Sequence, residues 1–324
     1  MGARHEQALR PRPRRLRHAA PAHQGQRPLV PRAHRGAARG RGMTQVIGAP
    51  LARMRGLAVP RGTIAFWWLG QAGFAVRAAE LLILVDPFLA ERDGRLTAPA
   101  FDPRDAVDVD VVTCSHEHYD HLDLESLPLI ARASPAARFI VPRPLVPLLT
   151  GSGIAPERVI GARSGEPIRF GPITFHPIRA RHGVGMEDAY SFGRDGDGLD
   201  RFLGYVIDDG VARAYHAGDS VVYDGLAASL RELRVDIALL PINGRDHFRE
   251  GAGIVGNMDH REAAQLATDA GVDVLVPMHY ETFATNRGYP AHLVDVVDRE
   301  GLPLTVVVPT RDRPFVFSKA SARD

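Results

Sequence analysis

The chain has 324 residues, 45% of them hydrophobic, enough for one large domain or two small ones around a sizeable core. Its single cysteine, Cys114, excludes an internal disulfide and, beside 14 histidines, points any metal site towards nitrogen and oxygen ligands. The net charge of +2 conceals an asymmetry: residues 1–42 hold 11 of the 40 basic residues and one of the 38 acidic ones, which leaves the remainder at −8 and argues against wholesale nucleic-acid binding by it.

Residues 1–42 are rich in Arg, Pro, Ala, Gly and His and lack apolar periodicity, so they read as a disordered tail or as an extension upstream of a start at Met43. No apolar h-region follows Arg14-Arg15, which excludes a twin-arginine signal, and no apolar run approaches the ~20 residues of a bilayer span. We assign residues 1–55 to the tail and 56–324 to one folded, cytoplasmic domain. Ile64 to Leu69 reads as a buried strand, Gly70-Gln71-Ala72-Gly73 as a turn, and Phe74 to Arg77, Leu81 to Val85 and Val109 to Thr113 as further strands. Leu122 to Ala131 has helical spacing with Asp123 as its N-cap. Strands are expected at Phe139 to Val141, Ile173 to Ile178, Phe202 to Ile207, Ala212 to Tyr215, Val235 to Leu240, Val272 to Val276, Leu304 to Val308 and Phe315 to Phe317. Helices are expected at Gly225 to Leu233, His260 to Ala270 (capped by Gly271) and Pro290 to Arg299. Two sheets packed face to face with helices outside satisfy this α+β pattern, and no repeat array is present.

The chemistry concentrates in Ser115-His116-Glu117-His118-Tyr119-Asp120-His121, directly after a strand. Three imidazoles and two carboxylates packed this densely are costly unless a divalent cation satisfies them. In a loop His116 and His118 can converge on one ion, while Asp120 and His121 turn towards a second. Further ligands are expected at later strand ends. His182, Asp219 and His279 each follow a β-run, with a surface-loop residue, a capping residue and a core histidine as their respective bland alternatives. His216 reads as a residue behind the ligands, orienting them. Ser115 and Cys114 read as strand-end packing. Two ions roughly 3.5–4 Å apart can lower the pKa of a shared water towards ~7, so that a metal-bound hydroxide serves as nucleophile, with Asp120 orienting it or relaying a proton. Arg245 and Arg249, in Asn243 to Arg249, are candidates for holding a phosphate or carboxylate; ordinary surface salt bridges are the alternative.

The strand-end cluster, Gly218-Asp219-Ser220 and the late His279 resemble the metallo-β-lactamase superfamily. With Trp67-Trp68-Leu69-Gly70, Val85-Asp86-Pro87-Phe88, Leu240 to Asp246, Gly256-Asn257-Met258 and Pro277-Met278-His279-Tyr280, the chain is similar to the L-ascorbate-6-phosphate lactonase family within it. The resemblance runs from about Gly62 to Phe317 and implies a four-layer αβ/βα sandwich with the metals at one edge. It implies that His116, His118 and His182 hold one ion, that Asp120, His121 and His279 hold the other, and that Asp219 bridges them. The ions implied are manganese or zinc. The function expected is a lactonase-like hydrolase acting on a small anionic sugar derivative, with a phosphodiesterase (nuclease- or phospholipase D-like) or a non-catalytic metal-binding regulator as alternatives. Neither a membrane nor, for the folded body, a nucleic acid is an expected partner; assembly into a homo-oligomer stays open.

Overall fold

The computed structural model describes residues 49–319; the tail assigned to residues 1–42 lies outside them. A first sheet of seven strands takes in β1 (Thr63–Gly70), β2 (Gly73–Ala78), β3 (Leu81–Val85), β4 (Val111–Thr113), β5 (Arg138–Pro142) and β6 (Val159–Ala162). The second takes in β7 (Ile168–Phe170), β8 (Ile173–Arg179), β9 (Leu203–Asp208), β10 (Arg213–His216), β11 (Ile237–Pro241), β12 (Val274–Met278) and β13 (Thr305–Val306). The last strand, β14 (Phe315–Ser318), returns to the first sheet, giving the orders β14-β1-β2-β3-β4-β5-β6 and β13-β12-β11-β10-β9-β8-β7. Each sheet is antiparallel in its hairpins and parallel where crossovers occur, from β3 to β6 and from β10 to β13.

Strand β1 shows why two sheets stack here. Ile64, Phe66 and Trp68 enter a core shared with Phe175, Tyr205 and Tyr215 of the second sheet, while Ala65, Trp67 and Leu69 enter a separate core on the opposite face. Period-2 alternation with both faces apolar produces a strand buried throughout. The outer core is covered by helices α1 (Ala49–Gly56), α2 (Leu127–Ala133) and α3 (Val146–Gly151). Helices α4 (Leu226–Glu232), α6 (His260–Ala270) and α7 (Pro290–Arg299) cover the second sheet; the short α5 (His247–Gly251) lies in a loop. The result is the expected four-layer αβ/βα sandwich.

Helix α6 matches its expected bounds because its ends are capped: Asp259 and Glu262 form a reciprocal capping box, and Gly271 is left-handed at φ 71°. The segment assigned as a helix from Leu122 differs. Its helix is α2, starting at Leu127, because Asp123 serves the preceding loop, accepting from Leu89 N–H, Ala90 N–H, Glu125 N–H and Ser126 N–H. The domain boundary at residue 56 is also corrected. Helix α1 spans it and buries Leu51 and Met54 in the outer core, on too few apolar positions to give a periodic signal. Among the described residues, no helix is long and apolar enough to cross a membrane.

Candidate metal centre

The donors come from both sheets. His116, His118, Asp120 and His121 follow β4 of the first sheet; His182, Asp219 and His279 follow β8, β10 and β12 of the second. Gly218 allows the approach: it is left-handed at φ 60°, and a Cβ there would sit 2.6 Å from Ser115 Cβ across the sheet boundary. The ligand atoms fall into two groups, His116, His118, His182 and Asp219, and Asp120, His121 and His279, each with all its atoms within 4.8 Å of one another. Asp219 lies between the groups, with Oδ2 3.6 Å from His182 Nε2 and 3.2 Å from His279 Nε2, and Oδ1 3.4 Å from His121 Nε2.

The ring nitrogens test whether a cation fits. His116 Nδ1 lies 2.9 Å from Ser115 Oγ, and His118 Nε2 lies 3.2 Å from the Val184 carbonyl. Those bonds assign the hydrogens to the outward nitrogens and leave lone pairs on His116 Nε2 and His118 Nδ1, which face each other at 3.0 Å. His182 Nε2 approaches the same point, 3.3 Å from His118 Nδ1. His121 Nε2 in the second group and Asp219 Oδ1, which faces it, are buried without a hydrogen-bond partner. Converging lone pairs and an orphaned carboxylate oxygen are what a divalent cation satisfies.

Titration behaviour separates the groups. Burial, reinforced by neighbouring imidazoles, pushes His116 well below the usual histidine range; burial takes His182 down to about 3 despite Asp219 nearby. Burial opposes the charge on His279 too, but Asp219 and Asp120 prevail and raise it to about 9; the same carboxylates and Asp86 raise His121. Burial would raise Asp120 and Asp219, yet His121 and His279 hold both below the ordinary carboxylate range.

The residues behind the ligands were only partly foreseen. His216 points away from the donors: Nε2 donates to Ala72 O at 2.7 Å, and Nδ1 accepts from Gly218 N–H at 3.1 Å, steadying the turn that carries Asp219. Ser115 does more than pack. Its hydroxyl donates to Asp86 Oδ2 at 2.6 Å and lies 2.9 and 3.2 Å from His116 and His121. Cys114 is wholly buried and its thiol is pushed well up by burial, as packing requires. Two contributors escaped the sequence reading. Asp86 Oδ2 accepts from His121 Nδ1 at 2.6 Å, and Gln71 Nε2 donates to Asp120 Oδ2 at 2.7 Å. Gln71, Asp86 and His279 are all left-handed, at φ 52°, 43° and 58°, a strain of order 1–3 kcal/mol each that the surrounding bonds sustain.

A cavity of about 260 Å³ opens over the donors, lined by His118, Asp120, Asp219 and His279 beneath and walled by Tyr119, Val184, Ile254, Val255 and Phe283. The two candidate anion-binding arginines do not line it. Arg245 makes a two-pronged pair with Glu262 at 2.6 and 2.7 Å, and Arg249 donates to the carbonyls of Asn243 and Arg287 and pairs with Asp246 at 3.1 Å. Both brace the loop instead of facing a ligand, which corrects their assignment as substrate contacts.

Two facing mixed sheets with a His- and Asp-lined centre at one edge define a metallo-β-lactamase type of fold. A family profile described as "Beta-lactamase superfamily domain" matches residues 82–280, and a metal-dependent hydrolase of Hyperthermus butylicus is 34% identical over 74% of this chain and 94% of its own length. The chain belongs to the metallo-β-lactamase superfamily, among its metal-dependent hydrolases. A Salmonella paratyphi B protein named "Probable L-ascorbate-6-phosphate lactonase" is more distant, at 23% identity over 72% of this chain and 74% of its own. The fold is shared with Igni18, a metallo hydrolase of Ignicoccus hospitalis, with a TM-score of 0.60 at 24% identity, covering 79% of this chain and 99% of that one.

Proposed function

We propose that the chain hydrolyses a small lactone or related ester at a dinuclear centre of manganese or zinc. The observation that carries this reading is the Asp219 carboxylate, whose two oxygens face His121 on one side and His182 and His279 on the other, the position of a bridge. Bound there, a divalent pair would supply an activated water at neutral pH and polarise the electrophile. His116, His118 and His182 would hold one ion, Asp120, His121 and His279 the other. Asp120 also borders the cavity, where it would orient the attacking water or relay a proton. No side-chain nucleophile is needed: the Ser115 hydroxyl is committed to Asp86, and Cys114 lies in the core. Tyr119, Val184, Ile254, Val255 and Phe283 offer the substrate an apolar wall. The anionic sugar lactone in the Salmonella relative's name is the first compound to try, with the ions, not Arg245 and Arg249, opposing its charge.

The test is elemental analysis of wild type, His118→Ala and His279→Ala, followed by a screen of lactones and phosphodiesters. Close to two equivalents in wild type, fewer in both variants and faster turnover of lactones are expected. Turnover of phosphodiesters alone would transfer the reading to a phosphodiesterase. Wild type unable to take up either ion would favour a regulatory protein.

A further inference from the structure

We infer that Gln71 is a positioning residue that sets the affinity of one donor group alone, Asp120, His121 and His279; the inference rests on the two-ion reading above. Gln71 occupies the turn between β1 and β2, where its backbone is left-handed at φ 52° although it is not glycine, and its side chain is buried. Such a conformation persists where the surroundings over-determine it, and here the surroundings are the metal centre. The Gln71 carbonyl accepts from His279 N–H at 2.9 Å and from Trp68 Nε1–H at 3.0 Å, while its own N–H donates to Glu281 Oε1 at 3.2 Å. One residue thereby holds the backbone of the last donor and, through its side chain, the carboxylate of another.

The carboxamide makes the decisive contact, with Asp120. Nε2 lies 2.7 Å from Asp120 Oδ2 and 3.0 Å from His279 Nε2. An ionised carboxylate only accepts, so the amide must turn its nitrogen, not its oxygen, towards Asp120. That bond fixes the Asp120 carboxylate within reach of its fellow donors, 3.4 Å from His279 Nε2 and 3.8 Å from His121 Nε2. In the other group, His116 and His118 are oriented by Ser115 Oγ and the Val184 carbonyl, which Gln71 does not touch. The consequence is an asymmetry: loss of the Gln71 amide should weaken one ion and spare the other.

The experiment is a chelator-competition titration of the full chain with manganese and with zinc, on wild type, Gln71→Met and Gln71→Ala. Gln71→Met keeps the length of the side chain and removes the donor. The expected result is two binding steps in all three, with one weakened 10–100-fold in both variants and the other unchanged within about twofold. The thermal midpoint of the metal-free protein, measured alongside, should stay within a few degrees of wild type for Gln71→Met. Two unchanged steps, or two that weaken together with a fallen midpoint, would overturn the positioning role. A single step in wild type would refute the two-ion reading instead. Gln71 would then be judged on that one affinity, a loss supporting the role and no change overturning it.

Discussion

Asp86 Oδ2 and His121 Nδ1 lie 2.6 Å apart with both side chains wholly buried. The carboxylate can only accept, so the imidazole hydrogen sits on Nδ1 and Nε2 is left to face Asp219 and Asp120. A histidine held this way keeps the tautomer that a cation requires. Asp86→Asn, whose amide cannot accept at both positions, should lower the affinity for divalent ions by roughly 10–100-fold. A metal titration against a chelator at neutral pH measures this, and unchanged affinity would show that His121 needs no such partner.

Gly218 is the point where the second sheet's loop touches the first. Alanine there meets both an unfavourable φ of 60° and a Ser115 Cβ at 2.6 Å, while Ser115 is tied to Asp86. Gly218→Ala should cost about 1–3 kcal/mol in a urea unfolding curve and reduce metal content by displacing Asp219. A variant as stable as wild type with full metal content would mean that the two loops separate without penalty.

Arg245 pairs with the half-buried Glu262 and is not among the residues that line the cavity. Arg245→Ala should leave KM for the eventual substrate within about twofold and change stability by up to ~1 kcal/mol. A tenfold rise in KM, with kcat preserved, would restore the arginine as a substrate contact.

Asp208, at the end of β9, offers a test in acid. Burial would raise its carboxyl, but His176, Arg213 and the Gly210 N–H outweigh that and hold it at about 2. A depressed folded-state pKa adds stability that is present above the unfolded value near 3.8 and is lost as the pH falls through about 2. Asp208→Asn should therefore be less stable by roughly 1–2 kcal/mol at pH 7. The gap from wild type should narrow between pH 4 and pH 2, as followed by denaturant unfolding across that range. A gap that does not narrow would mean that its hydrogen bonds, not its charge, matter.

The sequence revealed the donors in proportion to how locally they are arranged. His116, His118, Asp120 and His121 stand out because one loop supplies all four. Apart from the resemblance, His182, Asp219 and His279 read as no more than polar residues after β-runs, and tertiary structure is needed to bring them together. Gln71 and Asp86 left no trace as contributors, since an orienting hydrogen bond imposes no spacing on the chain. Arg245 misled for the converse reason: its partner, Glu262, is a surface residue on a later helix that nothing near Arg245 announces. Secondary structure followed the same logic, clear at α6 with its caps and blurred at α2, where Asp123 is diverted to another loop.

The spread of donors from His116 to His279 also imposes an order in time. A chain emerging from the ribosome at ~5–20 residues per second presents the β4 loop well before the last imidazole has been made. The strand that completes the first sheet's edge beside β1 comes later still, at Phe315 to Ser318. A cation that needs the whole donor set can therefore be captured only once His279 has been made and the two sheets have met, so the centre is assembled late in the life of the nascent protein.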